Sequence, residues 1–468
     1  MTNIFTARNI HLVGIKGVAM AALAVILKQL KKSVTGSDVA EDFPTQKILK
    51  QLKLTVFTGF KPGQIQPGQT DLVVYTGAHQ GKNNPEVQFA ISKNIPVLSH
   101  GQALGELMLK KTGISVAGSH GKTTTSAMIS HVLVKAGEDP CFSIGCGEIL
   151  SLGIPAAWGK GKYFVAEADE YVTDPNSDMT PRFMWQQPKY LVLTNIDFDH
   201  PDVYKNLKAI KQAFLEFIKN NPKLELVILN QDDPNSQFFL TSTTKPIITY
   251  GMSKTADFRI AHVLELPTHT QCDLAKIGKL TILVPGKHNI YNAAAAAVLI
   301  KQLGLTNEEI ITHLANFIGT KRRLEKFGEK NTTVFIDDYA HHPYEISASL
   351  TALKNRYPEK KLLVVFQPHT YSRTQALFDE FAICFAASDT VVITDIYASA
   401  REQPLPGVTG EKLVEAIKIH QPEAHFMPTK QAVLKYLGGL NLSGHVVVLM
   451  GAGDIYNWQD EVLSINDG

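Results

Sequence analysis

The sequence predicts an α/β chain of three domains, and three observations lead there. Its 468 residues exceed what one core usually organises. Short β-branched runs alternate with apolar runs at helical spacing along the whole length, the pattern of parallel sheets wound by helices. The strand-like runs end in glycine or polar residues, where such sheets place their sites. The pattern restarts near residues 107 and 319, which divides the chain into 1–106, 107–318 and 319–468. The expected architecture is a Rossmann-like first domain, a central domain built on a phosphate loop, and a Rossmann-like third domain. No repeat at a period of 20–50 residues and no low-complexity tract interrupts it.

Composition excludes several classes. Hydrophobic content of 44%, charged content of 19% and a net charge of +2 describe an ordinary globular protein without the basic excess of a nucleic-acid binder. The longest apolar runs, VAMAALAVIL at 18–27 and AAAAAVLI at 293–300, are too short to span a membrane and read as buried helices. Charged and polar residues break up positions 1–11, so no export signal is read and a cytoplasmic protein is expected. Cys141, Cys146, Cys272 and Cys384 lack metal or disulfide spacing and are expected as free core thiols.

In the first domain NIHLVGI at 9–15 reads as a strand, Gly17 opens a helix, and SVTGSD at 33–38 is the next strand. The dinucleotide fingerprint is broken, because Lys16 and Ala19 stand where two glycines belong. What survives, Gly14 and Gly17 at a helix start with Asp38 about 20 residues on, suits a nucleotide-sugar pyrophosphate and ribose; a plain structural turn explains it too. Lys16 either contacts a phosphate or points to solvent. The strand DLVVYTGAH at 71–79 brings Thr76, Gly77 and Ala78 to the same edge, and a helix, a strand and an exit helix complete the domain.

The central domain opens on ISVA followed by Gly118-Ser119-His120-Gly121-Lys122-Thr123-Thr124-Thr125 and a helix. Strand, glycine turn and helix aim backbone N–H groups at a phosphate, with Lys122 reaching the β/γ-phosphates and Thr123 holding Mg²⁺, which points to an ATP user. KYFVAEADE at 162–170 and YLVLTNIDFDH at 190–200 end in acidic and histidine side chains suited to a second Mg²⁺, with Glu167 and His200 as the chosen ligands; solvated loop charges are the competing explanation. PGKHNIYNAAAAAVLIKQLG at 285–304 places Asn289 and Asn292 at a helix start, where an amide reads an adenine edge or simply caps the helix.

The third domain begins GTKRRLEKFG, followed by the strand NTTVFIDDYAHHP and strands at 361–369, 390–397, 425–429 and 445–454. A doubly wound parallel sheet with its site at the C-terminal edge is expected. His342 is read as a packed structural histidine, and Trp158, Trp185 and Trp458 as core or lid aromatics.

GSHGKTTT, EADE, TNIDFDH, GKHNIYNAAAAA, KRRLEKFG, DDYAHHPYEI, FQPHTYSRT and MGAGD occur in one order across three domains, and together they resemble the Mur ligase family. The resemblance covers nearly the whole chain. It implies an ATP-dependent amide ligase of peptidoglycan and cell-wall synthesis that works through an acyl phosphate, with ATP and Mg²⁺. DDYAHHPYEI, FQPH and MGAGD are most like the members that add L-alanine to UDP-N-acetylmuramate. EADEYV is closer to those that attach a recovered L-Ala-D-Glu-diaminopimelate tripeptide, the alternative.

By the same resemblance Gly118 to Thr124 cradle the phosphates, Lys122, Glu167 and His200 are catalytic, and Thr123, Glu167 and His200 hold metal. Asn292 faces adenine, Arg323 and Asp338 reach the phosphates and ribose, and Tyr339, His341 and Arg373 surround the amino acid. Gly14, Gly17, Ser37, Asp38, Thr76, Gly77 and Ala78 hold the UDP end. Small-molecule substrates, no nucleic acid, no membrane and a monomer or weak homodimer are implied. Departures are GIKGVAM at 14–20 where the family has GxGGxGM, Thr370, where the family usually has arginine, and SHGQALGEL in place of an RAE-type sequence. An ATP-driven switch needs only the central domain, and a dehydrogenase needs the intact fingerprint; both fit less well.

Overall fold

The computed structural model describes residues 2–399 and 402–465. The first sheet has five parallel strands, β1 (Asn9–Val13), β2 (Ser33–Asp38), β3 (Thr55–Thr58), β4 (Leu72–Tyr75) and β5 (Val97–Ser99), in the order 3-2-1-4-5. The order reverses at β1, so β1 and β4 part at their C-terminal ends and open a crevice there. The helix Val18–Gln29 carries the run VAMAALAVIL, and eight consecutive residues from Met20 to Leu27 are buried. A helix apolar on every side must be covered on every side. The first sheet covers one side, and Cys141, Ala156, Phe164 and Ala166 of the central domain share its apolar cluster.

Ten strands form the central sheet: β6 (Thr112–Ala117), β7 (Cys141–Ser143), β8 (Ala156–Ala157), β9 (Tyr163–Ala168), β12 (Tyr190–Leu193), β13 (Leu226–Asn230), β14 (Ile247–Gly251), β15 (Phe258–Glu265), β16 (Thr270–Leu274) and β17 (Gly278–Ile282). A separate hairpin, β10 (Val172–Asp174) and β11 (Asp178–Pro181), follows β9. β6 lies between β9 and β12, parallel to both, so the loop after β6 is flanked by the acidic ends of both neighbours. The helices Lys122–Lys135 and Lys287–Gln302 pack together on this sheet; Ala293 to Ala297 are fully buried, since only methyl groups fit so close an approach. The antiparallel extension β15–β17 had no counterpart in the sequence expectation.

The third sheet runs β18 (Glu325–Lys330), β19 (Thr333–Asp338), β23 (His445–Met450), β20 (Lys361–Phe366), β21 (Thr390–Ile393) and β22 (Ala424–Phe426). Five strands are parallel, but β18 pairs antiparallel with β19, correcting the all-parallel expectation. Two residues separate these strands, too few for a parallel crossover. Residue 106 lies inside the helix His100–Met108, whereas residue 318 lies between the helix Asn307–Ala315 and β18. Among the described residues no helix is long and apolar enough to cross a membrane, and the four cysteines are buried and free.

Candidate active site

The loop after β6 is built on glycine for two reasons that can be located. Gly118 (φ +128°) and Gly121 (φ +81°) take backbone conformations that L side chains rarely adopt. A Cβ at Gly118 would also collide with Thr194 Oγ1, and one at Gly121 with Asn292 Oδ1. The end of β12 braces this turn. The Ser119 amide donates to Asn195 O (3.0 Å) and the His120 amide to Asn195 Oδ1 (2.9 Å), while Thr194 Oγ1 donates to His120 O (2.6 Å). Two amides of the expected cradle are therefore already engaged, and the first turn of the helix Lys122–Lys135 supplies the donors aimed outward.

Lys122 sits at the start of that helix with its amine turned back over the loop. Nζ donates to Gly118 O (2.5 Å), Ser119 O (3.0 Å) and Glu170 Oε1 (3.0 Å). Glu170 Oε2 lies 2.9 Å from the same amine, outside hydrogen-bond alignment. Burial disfavours the Lys122 charge, yet Glu170, Asp169 and Glu167 outweigh it and raise the ammonium above its ordinary value. Thr123 Oγ1 donates to Glu167 Oε2 (2.9 Å), and the Gly145 amide donates to Oε1 (2.6 Å). Burial still raises the Glu167 carboxyl.

His200, at φ +58°, is grouped with Asp169 and Glu170, whose ligand atoms and its own lie within 4.8 Å of one another. Glu167 stands outside that group, held by Thr123 and Gly145. Asp169 is lowered to about 2: burial opposes this, but Arg182, Lys122 and His200 prevail.

Two cavities meet at the phosphate loop. One, of about 700 Å³, is lined by Gly121, Thr124, Asn292, Tyr291, Arg323 and Asp338. Asn292 accepts from Thr125 Oγ1 (3.2 Å) and donates to Asn289 Oδ1 (3.0 Å), which places its amide against the loop and leaves one N–H for a ligand. Asp338 Oδ1 accepts the Ala340 amide (3.1 Å), while Oδ2 is buried with no hydrogen-bond partner, and burial raises the carboxyl to about 6. A buried acceptor without a donor on a cavity wall suits a ligand hydroxyl.

The second cavity, of about 760 Å³, runs from Lys122, Glu167 and His200 to Gly14, Thr76 and Ala78 of the first domain. Tyr339 and His341 line it from the third. Gly17 lines it as well, whereas Ser37 and Asp38 are buried behind the surface and the half-buried Gly77 is not part of the lining. Ser37 Oγ donates to Glu86 Oε2, and Asp38 accepts the amides of Lys16 (2.6 Å) and Val39 (2.8 Å). Gly77 packs on the Thr173 carbonyl. Lys16 points neither to solvent nor into the cavity; its amine is turned onto backbone carbonyls of residues 39–41.

The third domain meets the loop through charged groups. His120, 7% exposed, lies between Asp197 (Nε2 to Oδ2, 3.1 Å) and Glu345 of the third domain (Nδ1 to Oε1, 3.3 Å). Burial opposes its charge, but hydrogen bonds to the two carboxylates raise it to about 9. Arg323 NH1 lies 3.7 Å from the same Glu345 oxygen. Arg373, expected beside an amino-acid carboxylate, is 4% exposed and donates through Nε (3.1 Å) and NH2 (2.8 Å) to Asp199 Oδ1. A carboxylate of the central domain thus occupies the guanidinium. His342 caps the helix Pro343–Arg356 by accepting the Tyr344 amide at 3.3 Å, in keeping with a structural histidine.

Sequence reasoning missed Asn195, Glu345 and the partnership of Asp199 with Arg373. Glu345 had a signal, an acid in the first turn of the helix after DDYAHHP. Asn195 had one in its place directly after β12. The Asp199–Arg373 pair spans 174 residues and had none.

Comparison with known proteins bears on all three domains. Residues 9–112 match the Mur ligase family, catalytic domain; residues 116–300 the Mur ligase middle domain; and residues 322–453 the Mur ligase, glutamate ligase domain. The UDP-N-acetylmuramate–L-alanine ligase of Trichlorobacter lovleyi is 40% identical over 457 residues, 96% of this chain and 97% of that protein. The enzyme of the same name from Desulfitobacterium hafniense is 38% identical over 456 residues, 96% of this chain and 98% of its own. Among solved structures, the UDP-N-acetylmuramate-alanine ligase from Thermotoga maritima superposes with a TM-score of 0.81 at 27% identity, covering 97% of this chain and 98% of that one. With phosphate loop, flanking sheets and motif order matched end to end, this chain belongs to the Mur ligase family.

Proposed function

We propose that this chain is an ATP-dependent ligase that joins L-alanine to the carboxylate of UDP-N-acetylmuramate in peptidoglycan synthesis. The observation that carries the substrate assignment is full-length likeness, at 40% and 38% identity, to ligases of that name. It disfavours the tripeptide-attaching alternative. The geometry supports the chemistry, because two cavities of substrate size meet at Gly121 and Arg323, next to Lys122.

In this reading a muramate carboxylate oxygen attacks the γ-phosphorus, the bond to the β–γ bridging oxygen breaks, and ADP leaves. The alanine amine then attacks the acyl carbon; inorganic phosphate departs with the bonding pair and the amine gives up a proton. Phosphoryl transfer depends mostly on positioning and charge. Lys122 exchanges loop carbonyls for β/γ-phosphate oxygens, helped by the amides of its helix's first turn. Asn292 and Asp338 hold adenine and ribose, and Arg323 reaches the phosphates from the third domain. Gly14, Gly17, Thr76 and Ala78 border the UDP end, with Ser37 and Asp38 supporting them from behind and Gly77 holding the turn between Thr76 and Ala78. Tyr339, His341 and Arg373 serve the amino acid, and Arg373 must leave Asp199 to do so.

Mg²⁺ fits the residues present. Thr123, Glu167, Glu170, Asp169 and His200 offer mainly hard oxygen donors beside Lys122, which suits that ion, and one Glu170 oxygen is buried without a hydrogen bond. Bound there, it would supply positive charge to the phosphate oxygens. Domain limits after residues 106 and 318, a cytoplasmic location where ATP and UDP-sugars are made, and a monomer or weak homodimer complete the proposal.

The test is phosphate release from ATP and UDP-N-acetylmuramate, with L-alanine, L-serine, glycine or L-Ala-D-Glu-diaminopimelate added singly. Release that requires L-alanine supports the reading. Release with the tripeptide alone overturns it, as does hydrolysis that needs no amine.

A further inference from the structure

Lys16 is held through its backbone and its amine alike. Its ammonium has three N–H donors and finds three acceptors, Val39 O (2.7 Å), Glu41 O (2.7 Å) and the longer Ala40 O (3.4 Å). The backbone is tied as well: the Lys16 amide donates to Asp38 Oδ2 (2.6 Å), and Thr45 Oγ1 donates to Lys16 O (2.5 Å). Residues 38–45 are thus gripped at both ends and along the middle by one residue of the glycine turn. Lys16 is 6% exposed, and its amine lies 6.0 Å from the Phe43 ring centroid.

The gripped segment is part of the large cavity. Glu41, Asp42, Phe43 and Pro44 line it together with Gly14 and Gly17. It also touches the third domain, because Tyr456 Oη donates to Asp42 O at 3.0 Å. The face of Tyr456 in turn carries Arg322, whose Cζ lies 4.5 Å from the ring centroid. A coil segment with no strand or helix of its own therefore bridges the first and third domains beside the substrate cavity, and a buried cation holds its carbonyls.

We propose that Lys16 is a positioning residue that fastens residues 39–44 as a strap along the sugar-nucleotide end of the cavity and presents Asp42 to Tyr456 of the third domain. The proposal rests on the reading of the first domain as the UDP-sugar site. All three ammonium donors are spent on the strap, so Lys16 acts on the substrate through this segment rather than by touching a phosphate. Charge and length both matter: methionine keeps the length and loses the donors, while arginine keeps the donors.

The experiment combines amide hydrogen exchange of the ligand-free protein with steady-state kinetics for wild type, K16M, K16R and Y456F. In K16M the amides of residues 39–46 exchange roughly tenfold faster or more, while the phosphate loop is unchanged. The KM for UDP-N-acetylmuramate rises about tenfold and that for ATP stays within about twofold. K16R restores most of both, and Y456F accelerates exchange only around Asp42. Unchanged exchange in K16M overturns the strap; a raised KM alongside it would make Lys16 a direct phosphate ligand instead. Should K16M fail to fold, exchange in Y456F and K16R decides, and wild-type-like exchange around Asp42 in Y456F refutes the bridge. A wild-type enzyme that ignores UDP-N-acetylmuramate sinks the ligase reading alone, because the exchange measurement needs no substrate.

Discussion

Between the first and central domains, Phe164 and Ala166 of β9 share one apolar cluster with the helix Val18–Gln29; between the central and third domains, ion pairs stand beside ring contacts of His120 with His342 and Tyr344 and the packing of Phe198 on the third-domain core. Arg373 meets Asp199 and Glu345 meets His120 across this seam, while Arg323 approaches Glu345 from within the third domain itself. Apolar seams exclude water and act as core, whereas polar ones separate at little cost and re-form. On this ground the first domain is expected to hold its place as a wall of the site, and the third, whose seam carries the ion pairs, is the one expected to open. This division suits the proposed chemistry. In the proposed chemistry the UDP-sugar would take the rigid seat, while ATP and the amino acid would take a closing partner that carries Arg323, Asp338 and Arg373.

Variants at each seam can break this comparison. The largest effect is expected from Lys122→Ala, where kcat falls by at least about 10³-fold because transition-state charge loses its partner, while the melting temperature stays near wild type. Activity within about tenfold of wild type would refute the loop assignment. Phe164→Ala tests the apolar seam. Phe164 is fully buried, so urea unfolding should show a loss of about 3–5 kcal/mol, with KM values of the surviving folded enzyme unchanged. A large kinetic change without lost stability would mean that this seam moves.

Arg373→Ala addresses the polar seam. The KM for L-alanine should rise about 100-fold and that for ATP only a few-fold, reflecting a lost charged hydrogen-bond partner. Equal changes would place the amino acid elsewhere.

A pH measurement sharpens the comparison further. His120 has an ordinary value near 6.5 and is raised to about 9, so the folded state binds the extra proton between those values. Its contribution is complete below about 6.5 and is lost as pH rises through about 9. In urea unfolding from pH 6 to 9.5, wild type should therefore lose stability that His120→Asn does not. Parallel pH profiles would show that the His120 contacts with Asp197 and Glu345 contribute nothing. The smallest effect is expected of Thr125→Val, which removes the hydrogen bond to Asn292; about 1 kcal/mol of stability and a small rise in the ATP KM should follow, and no change in either would make that bond incidental.

Much of the site is legible locally because its parts lie within a few residues of a strand end. GSHGKTTT follows β6, EADE ends β9 and TNIDFDH follows β12, and β6 lies between the other two. Which acid takes which partner is not legible in the same way. EADE offers three carboxylates within four residues; the fold gives Glu170 to Lys122, Glu167 to Thr123, and Asp169 to Arg182. Alternation along the strand and the turn after it make that choice, and it depends on what stands opposite. Ser37 and Asp38 show the same limit. Their position at the end of β2 is readable, but their inward aim toward Glu86 and the Lys16 turn is not.

The sequence by itself determined the three α/β units, the order of the motifs and the presence of a phosphate loop, because apolar periodicity and glycine spacing are local properties. Tertiary structure alone decided that Lys16 grips the carbonyls of residues 39–41, that Arg373 rests on Asp199, and that ion pairs are built into one seam while an apolar cluster closes the other. A long cationic side chain can reach many acceptors, and only the packing of distant segments selects among them.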